Sequence, residues 1–163
     1  MKNILLSLFA LIVSASAFSQ ELWLNEVDDF TGDSKKATNS QVIGDNQEEK
    51  SYAVISISYS TLRVGDTWAF RLKPSSDLGC SGASGNYAML KFSDGEVMQL
   101  EDVAEIDCGD LAESTFILTA ELQDRIDAQD APVMIRLKQA DYYTDAKNVN
   151  AEVWHSHWKA VAP

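Results

Sequence analysis

Apolar and polar residues alternate with period two over several short stretches of this chain, the mark of strands with one buried face. Trp68, Phe70 and Leu72 alternate with Thr67, Ala69, Arg71 and Lys73. Ala88, Leu90 and Phe92 alternate with Tyr87, Met89 and Lys91, and Val133, Ile135 and Leu137 with Met134, Arg136 and Lys138. Tyr52 to Tyr59 is rich in β-branched and aromatic residues and sets Ala53, Ile55, Ile57 and Tyr59 on one face. Asp94-Gly95 predicts a hairpin turn, because glycine tolerates positive φ, and Val97 to Leu100 is the returning strand. A further strand is expected over Val103 to Asp107.

Two segments break the alternation. Thr119 is a suitable N-cap for a helix from Ala120 to about residue 128, with Glu121 early enough to favour the helix dipole. Ala151, Trp154, Trp158 and Val161 recur at three- and four-residue spacing, so 151–161 reads as a helix with one apolar stripe. Asp45 to Lys50 is a polar loop, and Ser75 to Gly85 is a Gly/Ser-rich loop that follows Pro74 and carries Cys80. The pattern predicts one mainly β domain over 20–163. It is an antiparallel β-sandwich or a strongly curved sheet, with two short helices near 120–128 and 151–161.

The first 19 residues read differently. Lys2 gives a positive start, Ile4 to Val13 an apolar run, and Ser14 to Ser19 a stretch of mostly small residues before Gln20. That order is a cleavable secretory signal peptide, and the apolar run is too short to span a bilayer. Export is therefore expected, to the periplasm or beyond, with cleavage after Ser19. The chain of 163 residues carries a formal net charge of −12, and losing Lys2 with the leader makes the mature chain more acidic by a single charge. Such a polyanion is repelled by nucleic-acid phosphates and acidic lipid. The sequence holds two cysteines, Cys80 and Cys108. An even count in an exported chain favours one disulfide over free thiols or a redox pair, the latter usually being Cys-x-x-Cys.

Several segments together resemble small secreted or periplasmic β-rich domains of Bacteroidota. They are Trp23, Asp28-Asp29-Phe30-Thr31-Gly32-Asp33, Leu78-Gly79-Cys80, Lys91-Phe92-Ser93-Asp94-Gly95-Glu96 and Ile106-Asp107-Cys108-Gly109. The resemblance implies a mostly antiparallel β fold and paired cysteines, and it brings no activity and no catalytic residues.

Candidate chemistry is sparse. His155 and His157 would share a metal on a strand, with Glu152 as a third ligand, but on a helix they point about 200° apart. Asp28, Asp29 and Asp33 around Gly32 are candidate calcium ligands, though their spacing is not that of an EF-hand, and an Asx-type turn accounts for them better. No Gly-x-Ser-x-Gly elbow, phosphate loop or dinucleotide fingerprint occurs, and no cofactor is implied. Cys80 is a nucleophile only if unpaired. Carboxylate pairs abound among 25 acidic residues, so none is singled out for glycoside hydrolysis. Tyr142, Tyr143 and Trp23, if exposed, would stack on sugars or a protein partner. The reading is an interaction or structural module of the envelope or exterior. Its alternatives are a small carboxylate-based hydrolase acting on glycans and a calcium-stabilised adhesive domain.

Overall fold

The computed structural model describes residues 21–29, 31–46 and 55–162. The expected signal peptide, Phe30 of the Asp28–Asp33 segment, and the start of the expected strand at Tyr52 lie outside these residues. Ten strands and two helices follow in chain order: β1 (Leu22–Val27), β2 (Ser34–Thr38), β3 (Gln41–Asp45), β4 (Ser56–Val64), β5 (Thr67–Pro74), β6 (Tyr87–Lys91), β7 (Val97–Glu101), β8 (Ser114–Ile117), α1 (Ala120–Asp127), β9 (Met134–Gln139), β10 (Tyr142–Lys147) and α2 (Ala151–Val161). All pairings are antiparallel. No described helix is long and apolar enough to cross a membrane.

The long strand β4 is the branch point. One edge pairs along its length with β5, which carries β8 beyond it. The other edge pairs first with β3 and then with β2, which carries β1. From β3 the sheet continues through β10, β9 and β6 to β7. The sheet curves until β7 and β8 approach each other, yet the ladder does not close there. The join is made by the chain after β7: Val103 N–H donates to the Thr115 carbonyl at 2.8 Å, and Asp102 N–H to the Asn86 carbonyl at 3.2 Å.

The expected strand over Val103–Asp107 is a correction. These residues form a loop with a single bridge between Ser81 and Asp107. The Asp102 carboxylate takes the Ala104 N–H at 3.0 Å and turns the chain where the strand would have begun, which leaves Ile106 72% exposed. The hairpin at Asp94-Gly95 forms as the sequence requires, with Gly95 at φ +92° and Phe92 N–H donating to the Glu96 carbonyl at 2.9 Å.

The core gathers the inward residues of the strands under α2. Ile57, Tyr59, Phe70, Leu72, Ala88, Leu90, Ile135 and Leu137 are fully buried. Asn150 caps α2 by accepting from the Glu152 and Val153 N–H groups, and its own N–H donates to the Ile43 carbonyl at 2.8 Å. That anchor lays the apolar stripe of α2 across β4, β2 and β3. Tyr59 stacks on Trp154 at a centroid distance of 5.0 Å, and Phe70 meets Trp154 and Trp158 edge-on. α1 is held to the β6–β7 hairpin by Arg125, which pairs with Asp94, Asp130 and Glu96 and lies 4.6 Å from the Phe92 ring centroid. The hydrogen bonds that Arg125 donates to Asp94 and Asp130 raise its pKa.

Candidate functional site

Alternation along β6, β7, β9 and β10 turns half of their side chains away from the core, and the register lines these up in three rows. Tyr143 stands beside Lys138, then Tyr87, then Glu101. The next row is Asp145, Arg136, Met89 and Gln99, and the third is Lys147, Met134, Lys91 and Val97. With strands about 4.8 Å apart, each row spans roughly 14 Å.

Charge on this face runs against that of the whole protein. Arg136, Lys138, Lys91 and Lys147 face two carboxylates, Asp145 and Glu101, on a chain whose formal net charge is −12. Arg136 donates from Nε to Asp145 Oδ1 at 2.6 Å and from Nη2 to Oδ2 at 2.8 Å, and this pairing raises its pKa. The same guanidinium lies 4.5 Å from the Tyr143 ring centroid. Lys138 lies 5.7 Å from the Tyr87 ring centroid and donates to the Gly85 and Ala140 carbonyls. Each of these two cations is thus held against a tyrosine, and Tyr143 remains 59% exposed.

At the Tyr87–Glu101 end the face runs into a recess of about 370 Å³ bordered by the Gly82–Asn86 loop. Asp102 builds its wall. One carboxylate oxygen accepts from the Ala104 and Thr115 N–H groups, both at 3.0 Å. The other accepts from Gly82 N–H at 2.8 Å and from the Ser114 hydroxyl at 2.6 Å. Gly82 sits at φ +66°, and a Cβ there would lie 2.4 Å from the Ala104 carbonyl oxygen, so only glycine fits. The sulfur atoms of Cys80 and Cys108 stand at disulfide distance, 2.01 Å, beside the Ser81–Asp107 bridge. Asn86 finishes the loop, donating to the Cys80 carbonyl at 2.7 Å and accepting from Ala140 N–H at 2.8 Å.

A second concavity, about 540 Å³, opens between α1 and α2. Asp127 and Gln123 face it from α1, and Glu152, His155 and Lys159 from α2. Burial lowers the His155 pKa against the opposing pulls of Asp130 and the Gln129 backbone. His157 points the other way, into the core. Its Nδ1 is 2.7 Å from the Thr38 hydroxyl, and its Nε2 faces Gln41 Oε1 at 3.4 Å. Burial pushes the His157 pKa down to about 4. As the helical reading required, the two histidines do not meet, and Glu152 lies with His155 alone.

Asp28, Asp29 and Asp33 form the turn between β1 and β2. Asp28 accepts from Thr31 N–H at 3.0 Å and from the Lys35 ammonium at 2.9 Å, and Gly32 turns the chain at φ +76°. That pairing with Asp28 raises the Lys35 pKa. Among the described residues, no group of three His, Cys, Asp or Glu side chains is placed to hold a metal ion. Tyr142 and Trp23 are 66% and 58% exposed, but Trp23 lies on β1, four strands along the sheet from β10. The rows joining Tyr143 to Lys138, Tyr87 and Arg136 went unread in the sequence. Alternation had set Lys138, Tyr87 and Arg136 outward, whereas their register with Tyr143 depends on long-range pairing. Compared with known proteins, the chain matches no family model, no curated protein and no solved structure.

Proposed function

We propose that this protein is an exported, non-enzymatic interaction module of the cell envelope or the extracellular space, and that it binds through the outer face of β6, β7, β9 and β10. The observation that carries this reading is the concentration of aromatic rings and cations on that face, in a chain of strongly negative charge. A sheet face with alternating rings and charges presents a rigid contact surface without a titratable pair poised for chemistry. The groove between the helices supports the hydrolase alternative, since Asp127 and Glu152 both face it.

The two readings separate in one experiment. Mature protein, expected to begin at Gln20 by mass spectrometry, is used for capture from envelope extract at low and high salt, beside a panel of glycoside, ester and peptide substrates. The interaction reading expects capture that weakens with salt and is lost in Lys138→Glu. Turnover abolished by Glu152→Gln, with no partner recovered, establishes the hydrolase instead.

A further inference from the structure

We infer that the outer face takes an acidic glycan, a saccharide chain bearing carboxylate or sulfate groups. This rests on the interaction reading and names its partner. Three features of the face converge on that chemistry. Tyr87 and Tyr143 belong to one row, two strands and so roughly 10 Å apart, and their rings can meet alternate sugar rings of one chain through C–H faces. Lys138 lies between them in the same row, and Arg136 and Lys91 lie in the rows behind, where acid groups of the sugar would fall. At the far end Glu101 borders the recess with Gln99, an acceptor and an amide suited to sugar hydroxyls.

The same features weigh against other polyanions. A nucleic acid extends well beyond a patch roughly 14 Å wide, onto a surface whose overall charge repels it. An acidic peptide gains from the cations but leaves the carboxylate of Glu101 facing like charge. A saccharide places hydroxyls there instead. Arg136 is already clamped by Asp145 through two hydrogen bonds, and Asp145 therefore competes with the ligand for that guanidinium. Lys91 makes no ion pair among the described residues and has no such competitor.

Affinity electrophoresis of the mature chain tests the idea in gels containing polygalacturonate, dextran sulfate, neutral dextran or poly-glutamate. Retardation by polygalacturonate or dextran sulfate, and not by neutral dextran, is expected; the two acidic arms tell carboxylate from sulfate recognition. Lys138→Gln and Tyr143→Ala each weaken the apparent affinity about fivefold, the loss of one charged or stacking contact. Asp145→Asn strengthens it, and Trp23→Ala leaves it unchanged. Thermal melts confirm that each variant is folded. Equal retardation by neutral dextran, stronger retardation by poly-glutamate, or none by either acidic polysaccharide overturns the glycan. Salt-sensitive capture from envelope extract that is lost in Lys138→Glu would then still stand for the interaction reading.

Discussion

Tyr59 and Tyr143 are both strand tyrosines, and the protein uses them in opposite ways. Tyr59 is fully buried between Phe70, Trp154, Trp158 and His157, and burial raises its phenol pKa well above the ordinary value. Tyr143 sits on the outer face with one side against Arg136 and the other open to solvent. The first environment is costly to disturb, since each ring fills space that its neighbours cannot take up. The second is cheap to change, since no described residue packs over its open side. A fold gains little by placing a row of rings and cations where no described element covers them. That contrast is the physical reason to assign stability to the α2 seam and to propose binding at the outer face.

The contrast breaks first, and most visibly, at the seam. Trp158→Ala should cost about 3–5 kcal/mol, read as a loss of roughly 10 °C or more in thermal midpoint. A change under about 1 °C would mean that the seam does not hold the core together. Next comes the Cys80–Cys108 pair. A bond between them closes a loop of 28 residues, worth roughly 3 kcal/mol in the chain-entropy model, so Cys108→Ser should lower the midpoint by several degrees. Alkylation of both thiols without reductant would show that no such bond exists in the purified protein.

His157 adds a pH dependence to the seam. Its pKa falls from 6.5 in the unfolded chain to about 4 in the folded one. The unfolded chain therefore takes up the proton first as pH drops. Stability that is complete above pH 6.5 is lost on the way down to about 4, by up to about 3 kcal/mol. Urea unfolding at about pH 7 and about pH 4.5 should show that fall, and His157→Gln should flatten it. An equal fall in the variant would move the cause elsewhere. The smallest effect belongs to the outer face, where Tyr143→Ala and Lys138→Gln should each change stability by less than about 0.5 kcal/mol, measured by the same unfolding curves.

What the sequence revealed and what it hid follows the same division. Period-two runs placed β5, β6 and β9, the Asp94-Gly95 turn placed β7, the stripe of Trp154 and Trp158 placed α2, and Thr119 placed α1, because each signal is local. β1, β2, β3, β8 and β10 escaped notice. Their sequences, such as Ser34–Thr38 and Tyr142–Lys147, are polar or lack clean alternation, and they become strands only through pairing, β2 and β3 with β4, β1 with β2, β8 with β5 and β10 with β9. Asp102 escaped for a related reason. Its four acceptor contacts reach Gly82, Ala104, Ser114 and Thr115, a set that only the folded chain assembles. The same carboxylate turned an expected strand into the loop that joins the two sheet edges. The outward identity of Arg136, Lys138 and Tyr87 was legible from alternation, while their meeting with Tyr143 required the register.

We propose binding at the outer face and not in the groove between the helices. The most direct measurement of that assignment is a titration of isotope-labelled mature protein with a galacturonate oligomer, followed by backbone amide and arginine side-chain resonances. Shifts are predicted to concentrate at Tyr87, Gln99, Arg136, Lys138 and Tyr143, with Glu152, His155 and Lys159 unmoved. Shifts centred on Glu152 and His155, or no shifts at all, would contradict it.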